Sequence, residues 1–188
     1  RFEVRSGSLA ALSGAEDDAA SHCAGAFALG PSGARAAGPI CAPASRAACV
    51  RSVGVLALYS SLHGVGLEYG PVHRPLAASW VGAGSREATS RLERRRDRAG
   101  TALHPADLDG AFQLTSLLWA SGGSGGLRLP SSVEEAVLIG GAGVLWPSVS
   151  AVDAASASVR LDREVDGVCS ARLCRFQSRA PAAPSRHL

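Results

Sequence analysis

The chain has 188 residues and a mass of 19.1 kDa, the size of one domain or of part of a larger one. Hydrophobic residues make up 46% and charged residues 19%, which excludes an intrinsically disordered chain. The net charge of +3 is small for a nucleic-acid-binding surface, so we expect no nucleic-acid partner. Because methionine is absent, we interpret the chain as a fragment of a longer protein.

The cysteines and the hydropathy pattern narrow the class of protein further. Cys23, Cys41, Cys49, Cys169 and Cys174 show neither a CxxC pair nor the cysteine–histidine spacing of a zinc site, which predicts free thiols and no metal. Free thiols favour a cytoplasmic location. No apolar run approaches the roughly 20 residues needed to cross a bilayer, so we expect no membrane segment.

The first half of the chain alternates short strand-like runs with loops rich in glycine, proline and alanine. Apolar residues at helical spacing favour a helix over Ala48–Leu62, although Gly54 interrupts it. We predict strands at Phe2–Ser6, His22–Leu29 and Leu76–Val81, with loops at Gly7–Ser21 and Gly30–Arg46. The alternating pattern of Glu87–Arg95 favours a half-exposed strand, although its many Glu and Arg residues would equally suit a helix.

A dense basic run covers Arg91–Arg98. A phosphate-binding patch is one interpretation of such a run. A solvated face is the favoured one, because no aromatic residue interleaves the arginines.

The clearest element is a helix that begins near His104 and Pro105 and covers Ala106–Ala120. Its apolar residues surround nearly the whole helix, which is typical of a core helix covered by a sheet. After a flexible loop at Ser121–Gly126, strands are predicted at Leu127–Leu129, Ser132–Ile139, Gly143–Trp146, Ser156–Leu161 and Val168–Phe176. This order predicts an α+β fold with an antiparallel sheet around a central helix, followed by a linker-like tail at 180–188.

Asp109 and Gln113 lie four residues apart on this helix, so their side chains share one face. A carboxylate in a mostly apolar setting is costly unless it is hydrogen-bonded, and the Gln113 amide is a suitable donor. The pair is therefore a candidate proton donor with a residue that holds it. An exposed polar stripe, or a network at the helix start with His104, explains the same spacing.

Several motifs resemble the dehydratase domains of modular polyketide synthases and animal-type fatty acid synthases. His104–Gln113 (HPADLDGAFQ) is similar to their HPxxLDxxxQ motif, and Gly66–Pro71 (GLEYGP) is similar to their GLxYGPxF stretch. Weaker similarities lie at Leu129–Val133, at Asp166–Arg179, and at His22 with Gly25. The order and spacing of the family's motifs hold over nearly the whole chain, from about Phe2 to Arg179.

The resemblance implies a double hotdog fold, of which residues 1–179 match the second, C-terminal hotdog. Such a domain removes water from a 3-hydroxyacyl thioester on an acyl carrier protein and gives the trans-2-enoyl thioester. Asp109 would protonate the departing hydroxyl, and a histidine of the first hotdog would remove the α-proton. Gln113 would orient Asp109, Tyr69 would hydrogen-bond the β-oxygen or the acid, and Gly70 and Pro71 would shape the turn that presents Tyr69. His104 would support the start of the helix.

Departures from the family pattern keep other functions open. His73 stands where the family usually has phenylalanine, and Asp107 where it usually has an aliphatic residue. The tryptophan expected before His22 is absent, and His22 and His63 are near-misses to the HxxxGxxxxP motif of the base. A degenerate, non-catalytic structural module and a product-template or isomerase-type domain are the alternatives.

The resemblance also implies partners. They are the N-terminal hotdog of the same domain, an acyl carrier protein whose phosphopantetheine carries the substrate, and the other domains of a homodimeric synthase. The chemistry requires no metal or organic cofactor. We expect the chain alone to be inactive, and we expect its apolar pairing face to cause self-association.

Overall fold

A computed structural model describes residues 2–6, 20–26, 46–96, 100–119, 128–141 and 143–180. The chain divides into two compact units, residues 1–35 and 36–188. The loops predicted at 7–21, 30–46 and 121–126 and the tail at 180–188 lie almost wholly outside the described residues.

The described part of the first unit is an antiparallel strand pair, β1 (Phe2–Ser6) and β2 (Ala20–Gly25). The bounds of β1 are the predicted ones. β2 begins two residues before the predicted start at His22, because Ala20 pairs with Ser6. It ends at Gly25, before the predicted end at Leu29.

The second unit contains an antiparallel sheet of eight strands in the order β3-β4-β5-β8-β9-β10-β6, with β7 also paired to β10. The helices α1 (Val55–Gly64) and α2 (Pro105–Trp119) accompany it among the described residues, with short 3-10 turns at Pro71–His73 and Ala83–Ser85. The strands are β3 (Arg51–Val53), β4 (Leu76–Val81), β5 (Glu87–Leu92), β6 (Leu129–Ser132), β7 (Glu135–Leu138), β8 (Leu145–Ala151), β9 (Ser156–Arg163) and β10 (Cys169–Arg179).

The helix predicted over Ala48–Leu62 is wrong in its first part. Arg51–Val53 forms β3 instead, because these residues pair with β4 and place Val53 opposite Ser79. Gly54 has extended backbone angles (φ −65°, ψ 118°) between the strand and α1. Pairing with a distant strand therefore overrides the local helical spacing in this segment.

Helix α2 agrees with the prediction to within one residue at each end. The backbone carbonyl of His104 accepts hydrogen bonds from the N–H groups of Asp107 (3.0 Å) and Leu108 (3.3 Å). The His104 imidazole Nδ1 accepts a hydrogen bond from the Ala106 N–H (3.1 Å), so the His104 side chain caps the helix N-terminus.

The core lies between α2 and one face of the sheet. Ala111 and Leu114 of α2 are fully buried, and the helix packs on β5, β8 and β9. Gly110 allows a close approach, because a Cβ at this position would lie 2.6 Å from Pro75 Cγ. The α+β prediction, with an antiparallel sheet packed on a central helix, is confirmed.

The later strands are displaced from their predicted bounds or longer than predicted. β6 begins at Leu129, where the first predicted strand ends, and β7 is shorter than the predicted Ser132–Ile139. β8 extends from Leu145 to Ala151 rather than ending at Trp146, because Pro147–Ala151 continue to pair with β9. Strands β9 and β10 lie where they are predicted but extend further toward the C-terminus.

Candidate functional site

The site is built around the carboxylate of Asp109 on the second turn of α2. The Gln113 side-chain Nε2 donates a hydrogen bond to Asp109 Oδ2 at 2.9 Å, across one helical turn. The Asp109 side chain is 29% exposed, so it lies at the edge of the core rather than on an open polar stripe. The predicted pairing of Asp109 with Gln113 is present.

Buried partners hold the Gln113 amide in one orientation. Gln113 is 2% exposed, and its Nε2 also donates to the backbone carbonyl of His73 at 2.8 Å. Its Oε1 accepts a hydrogen bond from the Tyr59 hydroxyl at 3.0 Å. Because Nε2 faces two acceptors and Oε1 faces a donor, the reversed orientation of the amide would lose these contacts.

Tyr59 belongs to the site, although no motif in the sequence predicts it there. Its hydroxyl accepts a hydrogen bond from the Leu76 N–H at 3.3 Å, which leaves the hydroxyl proton for Gln113. The helical spacing of Tyr59 with Leu62 signals that the side chain is buried, but it carries no information on a hydrogen-bond partner 54 residues away.

His73 is the second missed residue. The 3-10 turn Pro71–His73 places its Nδ1 3.5 Å from Asp109 Oδ2, and its side chain is 50% exposed. Gln113 and His73 thus both contact the same carboxylate oxygen. Asp109 Oδ1 has no hydrogen-bond partner within the described part of the chain, so this oxygen is available to a bound molecule.

Tyr69 lies beside this network. Its ring meets the Tyr59 ring edge-to-face, with centroids 6.2 Å apart. Burial, with a smaller effect of the nearby Asp109 charge, raises the pKa of Tyr69 to about 12, against an opposing effect of the contact with Gln113. Burial likewise raises the pKa of Tyr59 to about 12. Both hydroxyls therefore keep their protons at neutral pH and can donate hydrogen bonds.

Gly70 and Pro71 form the turn that follows Tyr69. The Gly70 carbonyl accepts a hydrogen bond from the His73 N–H (3.0 Å), and Pro71 is the first residue of the 3-10 turn. Gly70 has φ −73°, and a Cβ there would meet nothing within 4 Å. The turn thus positions His73 as well as Tyr69, without requiring glycine at position 70.

Two other candidate histidines, His104 and His63, make contacts elsewhere than with Asp109. His104 caps α2 through its side chain and does not line the cavity beside Asp109. His63 is exposed and forms an ion-pair contact with Glu68 at 3.5 Å. The side chain of His22 lies outside the described residues.

Arg95 corrects the expectation that the basic run is a solvated face. Its Nε lies 3.0 Å from Asp107 Oδ1, and both side chains are largely buried. Arg91 behaves as expected and pairs with Glu164 on the surface. Asp107 stands where the family usually has an aliphatic residue. Its buried carboxylate is stabilised at the helix start because Arg95 supplies a counter-charge.

A cavity of about 250 Å³ opens beside Asp109. Side chains of α2 form one wall, and the rest is formed by residues of α1 and the segment after it, of β6 and the residue before it, and of β10. Its lining residues include Leu62, Leu67, Tyr69, Asp109, Phe112, Gln113, Trp119, Arg128, Phe176 and Ser178. A mostly apolar space with one carboxylate at its edge is suited to an acyl chain with a polar reacting end.

Solved structures of similar shape define the class of fold. One is the dehydratase domain from the CurF module of the curacin polyketide synthase, with a TM-score of 0.68 and 20% identity over 78% of this chain and 54% of that one. The domain from the CurK module has the same TM-score and identity over 79% and 54%. The dehydratase domain of RzxB from Pseudomonas fluorescens is 28% identical, with a TM-score of 0.58 over 69% and 49%. The fold is the hotdog fold of these domains.

The sequence itself defines the family. Residues 39–174 match the family described as the polyketide synthase dehydratase N-terminal domain. This match covers more than half of the chain, and the chain therefore belongs to the polyketide synthase dehydratase family. The family description names an N-terminal domain, whereas the motifs at Gly66–Pro71 and His104–Gln113 resemble those of the C-terminal hotdog.

The length of the chain relative to its relatives, metal sites and membrane-spanning helices were also compared. The chain spans about half the length of the solved dehydratase domains that it resembles, and no curated protein matches it. Within the described ranges, no group of three histidine, cysteine or carboxylate side chains is arranged to hold a metal. No helix in the same ranges is long and apolar enough to cross a membrane.

Proposed function

We propose that this chain is the C-terminal hotdog of a polyketide synthase dehydratase and supplies its acid. The substrate is a 3-hydroxyacyl thioester on an acyl carrier protein. A base takes its α-proton, the bond between the β-carbon and oxygen breaks, and the trans-2-enoyl thioester and water are formed. The observation that carries the proposal is the hydrogen bond from Gln113 to Asp109 beside the cavity.

Asp109 donates the proton that converts the departing hydroxyl into water. Hydroxide is a poor leaving group, so a positioned acid lowers the barrier of this step. Oδ2 is engaged by Gln113 and His73, and Oδ1 is therefore the oxygen that carries the proton to the substrate. Tyr69 lines the same cavity with a protonated hydroxyl and donates a hydrogen bond to the β-oxygen.

The base belongs to the other hotdog. His73 does not fit this role, because 3.5 Å between its Nδ1 and Asp109 Oδ2 leaves no room for a substrate carbon chain between the two groups. His63 is exposed, pairs with Glu68, and does not line the cavity. The family resemblance implies that the base is a histidine of the N-terminal hotdog, so the chain alone is expected to be inactive.

The remaining partners follow from the same proposal. More than half of the surface of each of three apolar residues is exposed, those of Val50, Leu56 and Val72. This supports a partner that covers them, such as the N-terminal hotdog. The acyl carrier protein supplies the phosphopantetheine arm, and no resident cofactor takes part. Other synthase domains complete a homodimeric parent, which we place in the cytoplasm, where the free thiols of Cys49, Cys169 and Cys174 persist.

The intact hydrogen-bond network weighs against a degenerate structural module. A module kept only for packing has no need of a buried Gln113 that holds the carboxylate of Asp109 from a neighbouring helical turn. A product-template or isomerase-type domain uses an acid of the same kind. The product formed from a 3-hydroxyacyl thioester therefore separates these functions.

The test is Asp109→Asn in the full-length protein, with elimination of water from a 3-hydroxyacyl carrier-protein thioester followed by mass spectrometry. Loss of the acid is expected to lower the rate by about 10²- to 10⁴-fold. Asp166→Asn is the matched control, because Asp166 pairs with Arg163 on the surface. An unchanged rate for Asp109→Asn overturns the role of Asp109. A cyclised or isomerised product, or no turnover by the wild type, overturns the proposal that the protein is a dehydratase.

A further inference from the structure

Residues Tyr69–Arg74 form a turn that is tied together by its own hydrogen bonds. The Arg74 side-chain Nε donates to the Tyr69 carbonyl at 2.8 Å. Within this bond, the His73 N–H donates to the Gly70 carbonyl at 3.0 Å. Because the wider bond encloses the narrower one, a contact that fixes the middle of the turn also fixes Tyr69 at its start.

One side of α2 holds this turn at three points. Asp107, Gly110 and Gln113 are spaced three residues apart, so they lie along one side of the helix in successive turns. Gly110 allows α2 to approach Pro75, which follows the turn, and Gln113 Nε2 donates to the His73 carbonyl. The third contact, at Asp107, passes through a bridging side chain.

Arg95 is this bridge. Its Nε donates to Asp107 Oδ1 at 3.0 Å, and its Nη2 donates to the Val72 carbonyl at 3.1 Å. The Arg95 side chain is 21% exposed and the Asp107 side chain 10% exposed, so the ion pair is largely shielded from water. Both nitrogens belong to one rigid, planar guanidinium, which therefore sets the spacing between the carboxylate and the carbonyl. Arg95 thus joins the first turn of α2 to the middle of the Tyr69–Arg74 turn.

We propose that Arg95, anchored by Asp107, is a positioning residue that holds the Tyr69 hydroxyl in place for the reaction at Asp109. The inference rests on the proposed function, in which Tyr69 donates a hydrogen bond to the β-oxygen of the substrate. The family usually has an aliphatic residue at the position of Asp107. An aliphatic side chain cannot accept a hydrogen bond from Arg95, so this connection is a property of this chain's own residues.

Hydrogen exchange of the full-length protein, followed by mass spectrometry, tests whether Arg95 holds the turn. Arg95→Met keeps the stem but removes the donor to Val72, so amide exchange of a peptide over residues 69–75 should become about tenfold faster. Arg91→Met is the matched control, because Arg91 belongs to the same basic run but pairs with Glu164 on the surface, and it should leave this exchange unchanged. Equal exchange in Arg95→Met and the wild type overturns the proposal, whether or not the protein eliminates water.

Steady-state kinetics test whether the held turn acts through Tyr69. Arg95→Met is expected to lower kcat for the elimination of water about tenfold and to keep KM within about twofold, because a displaced hydroxyl weakens a contact made in the transition state. In a Tyr69→Phe background the same substitution should change kcat by less than about twofold. Equal losses in the two backgrounds would show that Arg95 does not act through the Tyr69 hydroxyl, and would overturn the proposal.

A further pair of variants separates position from stability. Asp107→Leu leaves Arg95 without its counter-charge and should lower both the thermal midpoint and kcat. Asp107→Leu combined with Arg95→Met replaces the ion pair by apolar side chains and should bring the midpoint back near that of the wild type. The value of kcat should stay low, because the Val72 carbonyl still lacks its donor. Recovery of kcat together with the midpoint would contradict a positioning role.

Failure of the positioning role is distinguishable from failure of the proposed function. If the wild type eliminates water and Arg95→Met exchanges faster but keeps its kcat, the positioning role is overturned and the proposed function is retained. If the wild type eliminates no water, the proposed function is overturned and the positioning role falls with it.

Discussion

The imidazole Nδ1 of His73 lies 3.5 Å from Asp109 Oδ2, the same oxygen that accepts a hydrogen bond from Gln113. Residue 73 also contributes its backbone carbonyl, which accepts the second hydrogen bond from Gln113 Nε2. The side chain and the carbonyl of one residue thus act on Asp109 by different routes. Only the carbonyl is retained when the side chain is replaced.

His73→Phe is therefore expected to keep activity within about threefold of the wild type. The contact that is lost joins His73 Nδ1 to Asp109 Oδ2, and the imidazole is half exposed. Exposed ion pairs of this kind contribute little to the free energy of unfolding. The carbonyl still holds Gln113, and through it Asp109. Steady-state kinetics of the full-length protein check this, and a loss of a hundredfold would assign His73 itself to the chemistry.

Gln113→Leu is expected to lower kcat much more than His73→Phe does. Leucine removes the donor to Asp109 and leaves the His73 carbonyl and the Tyr59 hydroxyl without their partner. The free energy of unfolding should fall by about 1–3 kcal/mol. Gln177→Leu is the matched control, because Gln177 is exposed on β10 and its side-chain Oε1 accepts a hydrogen bond from the exposed Ser132 hydroxyl.

Tyr59 is expected to act on Asp109 only through Gln113. Tyr59→Phe keeps the ring but removes the hydroxyl that fixes the Gln113 amide, so kcat should fall with little change in KM. In the double variant with Gln113→Leu, Tyr59→Phe should have almost no further effect. Fully additive losses in this double-mutant cycle would show that Tyr59 contributes independently of Gln113.

The two tyrosines of the chain provide a spectroscopic signal from the site. Both have a pKa raised to about 12, so phenolate absorbance of the folded chain should rise near pH 12 and that of the unfolded chain near pH 10. Because the unfolded state releases these protons first, the free energy of unfolding should decrease as the pH rises from about 10 to 12. Titration of the folded chain near pH 10 would show that the two rings are exposed to water.

Gly110→Ala is expected to destabilise the fold even though alanine favours a helix. The new Cβ would lie 2.6 Å from Pro75 Cγ and 3.4 Å from Leu92 Cδ2, so α2 or the segment before β4 must move. Overpacking of this kind costs about 1–3 kcal/mol. Gly64→Ala in α1 is the control, since its Cβ would meet nothing within 4 Å. Thermal unfolding of both variants tests this, and equal midpoints would contradict the close approach.

Local spacing was enough to predict α2 and the contact between Asp109 and Gln113. Both depend on residues only a few positions apart, and the geometry of a helix relates such positions directly. The strands β1 and β4 are predicted at their observed bounds. For Glu87–Arg95 the alternating pattern favoured a strand while the Glu and Arg residues equally suited a helix, and the segment forms β5, which ends at Leu92. The α+β class follows from the order of these elements. The family resemblance follows from motifs that are contiguous in the sequence.

Only the tertiary structure brings Tyr59 and His73 into contact with Gln113 and Asp109. Tyr59 belongs to α1 and His73 to the 3-10 turn, and no periodicity within one element records which distant side chain lies beside it. The same limit explains the error at Arg51–Val53, where pairing with β4 decided between strand and helix. It also explains the error at Arg95. Its position in a basic run predicted a solvent-exposed side chain, but the side chain pairs with the buried carboxylate of Asp107. Helical spacing determined that Asp109 and Gln113 share one face, and packing between distant segments decided what surrounds them.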